Sequence, residues 1–152
     1  MSPTIIRILI GASIVLAVQQ TNAGEFTIQL ANSVAAQNYQ MKRSAFVFRT
    51  DGCVAPDKPD VMAKAEGKVS GNRRSLPLKV VASPTPGVYG VFREWPEEGV
   101  WIVNLTARCG QAIAGALVAT DGKVFIRESS TILKHAATEP EIETALKKAP
   151  RQ

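Results

Sequence analysis

The side chains best suited to chemistry in this chain are two cysteines, one histidine, scattered carboxylates and one basic pair. Cys53 and Cys109 are the only thiols. A nucleophilic or redox cysteine needs a thiolate held at low pKa by a base, or a Cys-x-x-Cys spacing, and a separation of 56 residues offers neither. A zinc site needs about four nitrogen or sulfur ligands, more than two cysteines and a single histidine can supply. An even pair in an oxidising compartment forms a disulfide, and Cys53–Cys109 is the expected one. His135, in Lys134-His135-Ala136-Ala137, is the only imidazole. A histidine base needs a carboxylate behind it and a nucleophile on a strained turn before it. No Gly-x-Ser-x-Gly occurs, so His135 reads as a surface residue.

The carboxylates do not form an acid–base pair by spacing. Glu97-Glu98 lie between Pro96 and Gly99, in a turn, and Glu66 and Glu94 each have a basic residue within two positions. Asp51, Asp57 and Asp60 are too loosely spaced for a calcium loop, and prolines interrupt them. Asn104-Leu105-Thr106 matches the glycan acceptor pattern but falls in the middle of an apolar run. Arg73-Arg74, after Gly71-Asn72, form a basic tip that could clamp an anionic sugar or a partner's carboxylates. Lys64, Lys68 and Lys79 fall on neighbouring runs, and Arg49 with Lys42-Arg43 would extend the patch. The alternative is a solubilising loop with edge lysines that block aggregation. Arg73 and Arg74 are the candidate partner-binding loop.

The elements that must position these residues begin after an address. Arg7 is the only charged side chain before Glu25, and Ile8 to Val18 is an apolar run of eleven residues. A bilayer span takes about 20. Thr21 and Ala23 then stand at the −3 and −1 positions of a cleavage site. A basic start, a short apolar run and small residues at the exit define a secretory signal peptide over 1–23. The alternative is a retained anchor. Removing 23 residues leaves 129, and with only Arg7 lost the net charge falls from +5 to +4. Outside the cytoplasm such a charge suits an envelope protein or an anionic glycan or lipid as partner, not nucleic acid; the alternative, and the more common case, is a solvated surface with no partner.

From Gly24 onward, short apolar runs alternate with turn formers. The runs are Phe26–Leu30, Ser44–Arg49, Val61–Val69, Leu76–Val81, Val88–Phe92, Val100–Ala107, Ala112–Ala119 and Val124–Arg127. Between them lie Asp51-Gly52, Ser70-Gly71-Asn72, Pro84-Thr85-Pro86-Gly87, Pro96-Glu97-Glu98-Gly99, Cys109-Gly110 and Asp121-Gly122. Asp121-Gly122 is the strongest hairpin signal. This spacing predicts an all-β fold, an immunoglobulin-like antiparallel sandwich of seven or eight strands over 24–137. Trp101, Val103, Leu105 and Ala107 share one face of their strand. Phe46 and Phe48 share another, and Leu76, Leu78 and Val80 a third; these are the expected core.

Counting strands alternately up and down puts both cysteines at one pole of the sandwich, where a bridge can form. After Lys134 the pattern turns helical, giving a tail over 138–152. Thr138 can cap, Pro140 suits the first turn, and Glu141 completes a capping box. Ile142 and Leu146 lie four apart, and Lys147 and Lys148 fall at the negative end of the helix dipole. Pro150 ends the helix. Whether this short helix docks on the sandwich is open at this stage.

Pro86-Gly87-Val88-Tyr89 followed by Trp95-Pro96-Glu97-Glu98-Gly99-Val100-Trp101 resembles the late strands of small bacterial extracytoplasmic sandwiches of the YtkA-like and CopC-like group. Cys53, Glu66-Gly67 and Arg73-Arg74-Ser75 are similar to a pattern in secreted proteins of that character. The resemblance covers about residues 44 to 108 and implies the sandwich fold. Its CopC-like branch implies copper binding through histidine and methionine. This chain departs from that set, with Met41 and Met62 unclustered and His135 alone, so no metal ligand is carried over. The expected function is an exported, non-catalytic binding or interaction module of the cell envelope, without cofactor. The alternative is a periplasmic metal-handling accessory protein for copper.

Overall fold

The computed structural model describes residues 24–121 and 124–151, so the expected signal segment, Gly122 and Lys123 lie outside the described residues. Among them, nine strands form two antiparallel sheets. The strands are β1 (Thr27–Ala31), β2 (Phe46–Asp51), β3 (Asp60–Val69), β4 (Asn72–Leu78), β5 (Val80–Ala82), β6 (Val88–Val91), β7 (Val100–Cys109), β8 (Ala112–Ala119) and β9 (Thr131–Leu133). A one-turn helix α1 (Tyr39–Lys42) lies between β1 and β2, and α2 (Glu139–Lys148) follows β9. The four-stranded sheet has the order β1-β2-β6-β5 and the five-stranded sheet the order β4-β3-β7-β8-β9. With β1, β2, β6 and β5 as strands A, B, E and D, and β3, β7 and β8 as C, F and G, this is the immunoglobulin arrangement. Strand β4 adds to one edge of the second sheet and β9 to the other. No helix among the described residues is long and apolar enough to cross a membrane.

Turn chemistry sets the registers. Ser70 (φ 48°) and Gly71 (φ 80°) make the two-residue connection of β3 to β4, both with the positive φ that a type I′ hairpin requires. Gly110 (φ 57°) opens the turn from β7 to β8. Alternation along β7 then sends Trp101, Val103, Leu105 and Ala107 inward, all essentially fully buried, against Phe46 and Phe48 of the facing sheet. Phe48 stacks on Tyr89 at 5.2 Å between ring centroids, and Phe46 meets Phe125 edge-on at 6.3 Å. Leu78 is buried, while Leu76 and Val80 pack at the rim of the core. Trp101 is 1% exposed, and its indole N–H donates to the Glu98 carbonyl at 2.8 Å. It lies in register with Gly67 on β3, where any Cβ would collide with the indole ring. The glycine is the space in which the tryptophan sits.

The cysteines are bonded to each other, with Cα atoms 5.7 Å apart. Cys53 follows β2 by one residue and Cys109 ends β7, so the bridge ties the two sheets together at one pole.

Two runs depart from the expected pattern. Leu76–Val81 is not one strand: the chain leaves the five-stranded sheet after Leu78, crosses at Lys79 and enters the four-stranded sheet as β5. Pro77 brings no N–H to a ladder, and the Lys79 amide donates to the Glu94 carboxylate at 3.0 Å, so the crossing residue is satisfied by a side chain. Val124–Arg127 does not form a strand either. Phe125 makes one bridge to Thr120, and a 3₁₀ turn at Arg127–Ser129 breaks the ladder. Ser130 fills the break: its hydroxyl accepts from the Ala119 amide at 3.1 Å and donates to the Ile126 carbonyl at 2.7 Å. Pairing with β8 resumes as β9, which the sequence pattern does not announce.

The late helix docks. Ile142 and Leu146 are buried against Ile102 and Leu117 on the outer face of the five-stranded sheet. The Thr138 amide donates to the Glu141 carboxylate at 2.8 Å, closing the capping box. Ala149 already has extended geometry before Pro150, and Arg151 bridges back to Val100.

The disulfide closes a 56-residue loop, a constraint on the unfolded chain worth about 4 kcal/mol. Replacing both cysteines with serine lowers stability by about that amount in urea titration under oxidising conditions. An unchanged midpoint contradicts this account of the bridge.

Candidate functional site

Of the basic pair, Arg73 and Arg74 occupy the second and third positions of β4 and so take opposite faces. Arg74 shares the side of Leu76 and Leu78 and is exposed. Arg73 lies on the outer face, beneath α2, and meets three carboxylates. Its Nη1 is 3.0 Å from Glu66, its Nη2 3.1 Å from Glu139, and its Nε 2.9 Å from Glu143. Lys68, two strands from β8 on the same face, reaches Glu143 at 2.7 Å. Arg49 pairs instead with Asp51 on β2, and Lys42 and Arg43 belong to α1 and its end, against the other sheet. The basic residues named from the sequence therefore do not form one patch.

This clasp has a physical reason to exist. A ten-residue helix is marginal alone, and two apolar anchors contribute only about 2 kcal/mol each. Glu139 and Glu143, four apart on the flank of α2, supply the rest by facing Arg73 and Lys68. Glu66 is 7% exposed, which is costly for a carboxylate unless it is fully partnered. It has Arg73 on one oxygen and the Ser75 hydroxyl, at 3.0 Å, on the other. Partial burial works against the Arg73 cation, but the bonds to Glu66, Glu143 and Glu139 outweigh it and hold the guanidinium more firmly charged. Hydrogen bonds from Lys68 and then Arg73 hold Glu143 below the usual carboxylate range, and the Thr138 amide and hydroxyl do the same for Glu141.

The remaining sequence candidates are dispersed. His135 Nδ1 donates to the Ala136 carbonyl at 2.9 Å, and Nε2 stands 3.5 Å from Glu141. Its own carbonyl lies over Gly115, where a Cβ would collide, so the segment 134–137 crosses the sheet only because position 115 is a glycine. Met41 is buried against Gly90 of β6 in the four-stranded sheet, and Met62 is exposed on β3 of the other sheet. Among the described residues, no three His, Cys, Asp or Glu side chains converge as a metal site would require. Asn104, of the glycan acceptor pattern, sits within β7 with its side-chain oxygen buried and without a partner.

A different feature stands out on one flank. Among the described residues, strand β1 pairs only with β2, and β9 only with β8, so both sheets end there with an open edge. Between them runs a slit of about 440 Å³ lined by Ile28, Leu30, Phe125 and Ile132, with Gln29, Ser130 and Arg127 at its polar margin. Ile132 is 45% exposed, one of the few large apolar side chains left in solvent. Arg127 lies over the Phe125 ring at 5.7 Å and has no carboxylate partner among the described residues. Lys134 and Glu25 close one end with an ion pair at 2.9 Å. The opposite flank differs. There the edge strands β4 and β5 are joined through Lys79, and β4 carries the exposed Arg74 and Pro77, devices that keep a sheet edge from pairing. Strand β1, Thr-Ile-Gln-Leu-Ala, has no charge and no proline.

The slit escapes a reading by motif because β9 is only three residues long and Arg127 stands in an irregular turn. Its one legible signal is the uncharged edge sequence of β1. The partners of Arg73 were legible in part, since Glu139 and Glu143 have the spacing of one helix face. No protein-family model, curated protein or solved structure matches this chain.

The lowered carboxylates give the clasp a pH dependence. Above about 4.5, the ordinary value for glutamate, Glu141 and Glu143 are charged in folded and unfolded chains, and their contribution is complete. As pH falls below 4.5 and through their lower folded values, protonation removes it. In acid the Ile142 and Leu146 methyl resonances therefore move toward unfolded positions while the Trp101 indole resonance stays native. Arg73→Ala gives the same loosening at neutral pH and costs about 2 kcal/mol, because Glu66 keeps only Ser75. Helix and core signals that move together in both experiments contradict this.

Proposed function

We propose that this protein is an exported, non-catalytic interaction module of the cell envelope. The observation that carries the reading is the contrast between the two flanks. A sandwich that gives edge strand β4 an exposed arginine and a proline and joins it to β5 by a one-residue crossover, yet leaves β1 without charge or proline beside an apolar slit, is built to meet something there. The Cys53–Cys109 bridge supports an oxidising compartment, in keeping with an export segment at 1–23. Arg73 is occupied by Glu66, Glu139 and Glu143, which favours a structural role for it and moves the partner-facing surface to the open flank. Arg74 remains available as a lesser contact.

The test is saturable capture. The exported, purified protein is immobilised and challenged with envelope extract, with and without excess soluble protein as competitor. The expected result is a discrete envelope component that is retained and then displaced by competitor. Retention of nothing that the competitor displaces overturns the reading.

A further inference from the structure

We propose that the open flank receives an extended segment of a partner polypeptide, which adds as a strand to the free edge of β1 and places alternate side chains in the slit. This rests on the interaction-module reading and deepens it.

The main chain argues for a polypeptide. Pairing with β2 alone leaves every second residue of β1 with its N–H and C=O directed away from the sheet, and β9 does the same across the slit. A row of alternating donors and acceptors at strand spacing is matched by another backbone, and by neither a glycan nor a lipid headgroup. The side chains argue for the occupant's pattern. A strand lying on β1 turns every second residue toward Phe125 and Ile132, so these positions are apolar. Arg127, held over Phe125 and exposed at the margin, is a cation placed to meet a carboxylate. The occupant is therefore apolar at alternate positions and carries an Asp or Glu. On β9, Ile132 faces the slit while its neighbour Leu133 packs against the α2 cluster, so slit and helix take opposite faces of that strand.

The probe is a displayed library of seven-residue peptides selected on the purified protein. Sequences with alternating apolar residues and one acidic residue are expected to be enriched. The best of these, as a synthetic peptide, binds Ile132→Lys at least tenfold more weakly than the wild type, although Ile132 is exposed and the thermal midpoint is kept. Arg127→Glu reverses the acidic preference in a repeat selection. The same peptide N-methylated at alternate residues loses binding, which side-chain recognition alone does not require. The proposal is overturned if no pattern is enriched, if Ile132→Lys binds as the wild type does, or if N-methylation has no effect. It is also overturned if the protein sediments as a dimer that Ile132→Lys converts to monomer, because the occupant is then a second copy. An envelope component retained equally by wild type and Ile132→Lys sinks the strand proposal but leaves the interaction module standing.

Discussion

The covalent tie between Cys53 and Cys109 is the constraint on which the architecture depends. It fastens the end of β2, in one sheet, to the end of β7, in the other, by a covalent bond across 56 residues. Two sheets that are packed only face to face can slide or splay, and a core of this size leaves little stability in reserve. The bridge fixes their separation at one pole, and Lys79 fixes it along one flank by carrying the backbone directly from β4 to β5. With a pole and a flank held, the Trp101 indole can occupy the vacancy over Gly67 without the sheets having to close everywhere. The open flank is the consequence: it is the one long side where neither a covalent bond nor a backbone crossing draws the sheets together.

The helix obeys a different rule. Its large apolar anchors are Ile142 and Leu146, with Ala145 and Ala149 partly buried beside them, a small footprint for a helix marginal alone. The attachment is instead built from charges that would be expensive apart, with Glu66 buried in the sheet, Glu139 and Glu143 on the helix, and Arg73 among the three. Isolated surface ion pairs contribute little, but a guanidinium shared by three carboxylates, one of them buried, has no cheap alternative partner. This makes the docking specific in position and sensitive to protonation, while the core beneath it is sensitive to neither.

Local chemistry explains what was legible in the sequence. Ser70-Gly71 announces a hairpin because only certain residues adopt positive φ cheaply. Thr138, Pro140 and Glu141 announce a helix start because their roles are completed within four residues. The cysteine pairing followed from strand parity, a coarse property that survives errors in individual strand ends. What was not legible depends on partners far away. The Leu76–Val81 run, apolar but for Lys79, looks like one strand until Glu94, 15 residues along the chain, takes the Lys79 amide. Val124–Arg127 looks like a strand until Ser130 supplies the hydrogen bonds that a ladder would have made. Arg73 reads as a free cation because two of its three carboxylates come from a helix some seventy residues later.

The same contrast bears on what the open flank is for. An unprotected edge is a hazard, since any extended chain can pair with it, and small secreted sandwiches have inexpensive remedies in lysine, proline or a bulge. This sequence uses such remedies at β4, where Arg74 and Pro77 stand, so they were open to it. At β1 and β9 it has Ile28, Leu30 and Ile132 instead, with Arg127 set at the margin over an aromatic ring. A cation placed there does not block pairing along the edge; it selects among the chains that could pair, favouring those that bring a carboxylate. Exposed apolar surface, unpaired backbone and a single selective charge together fit a strand-receiving site better than they fit neglect, because neglect gives no reason for the two flanks to differ.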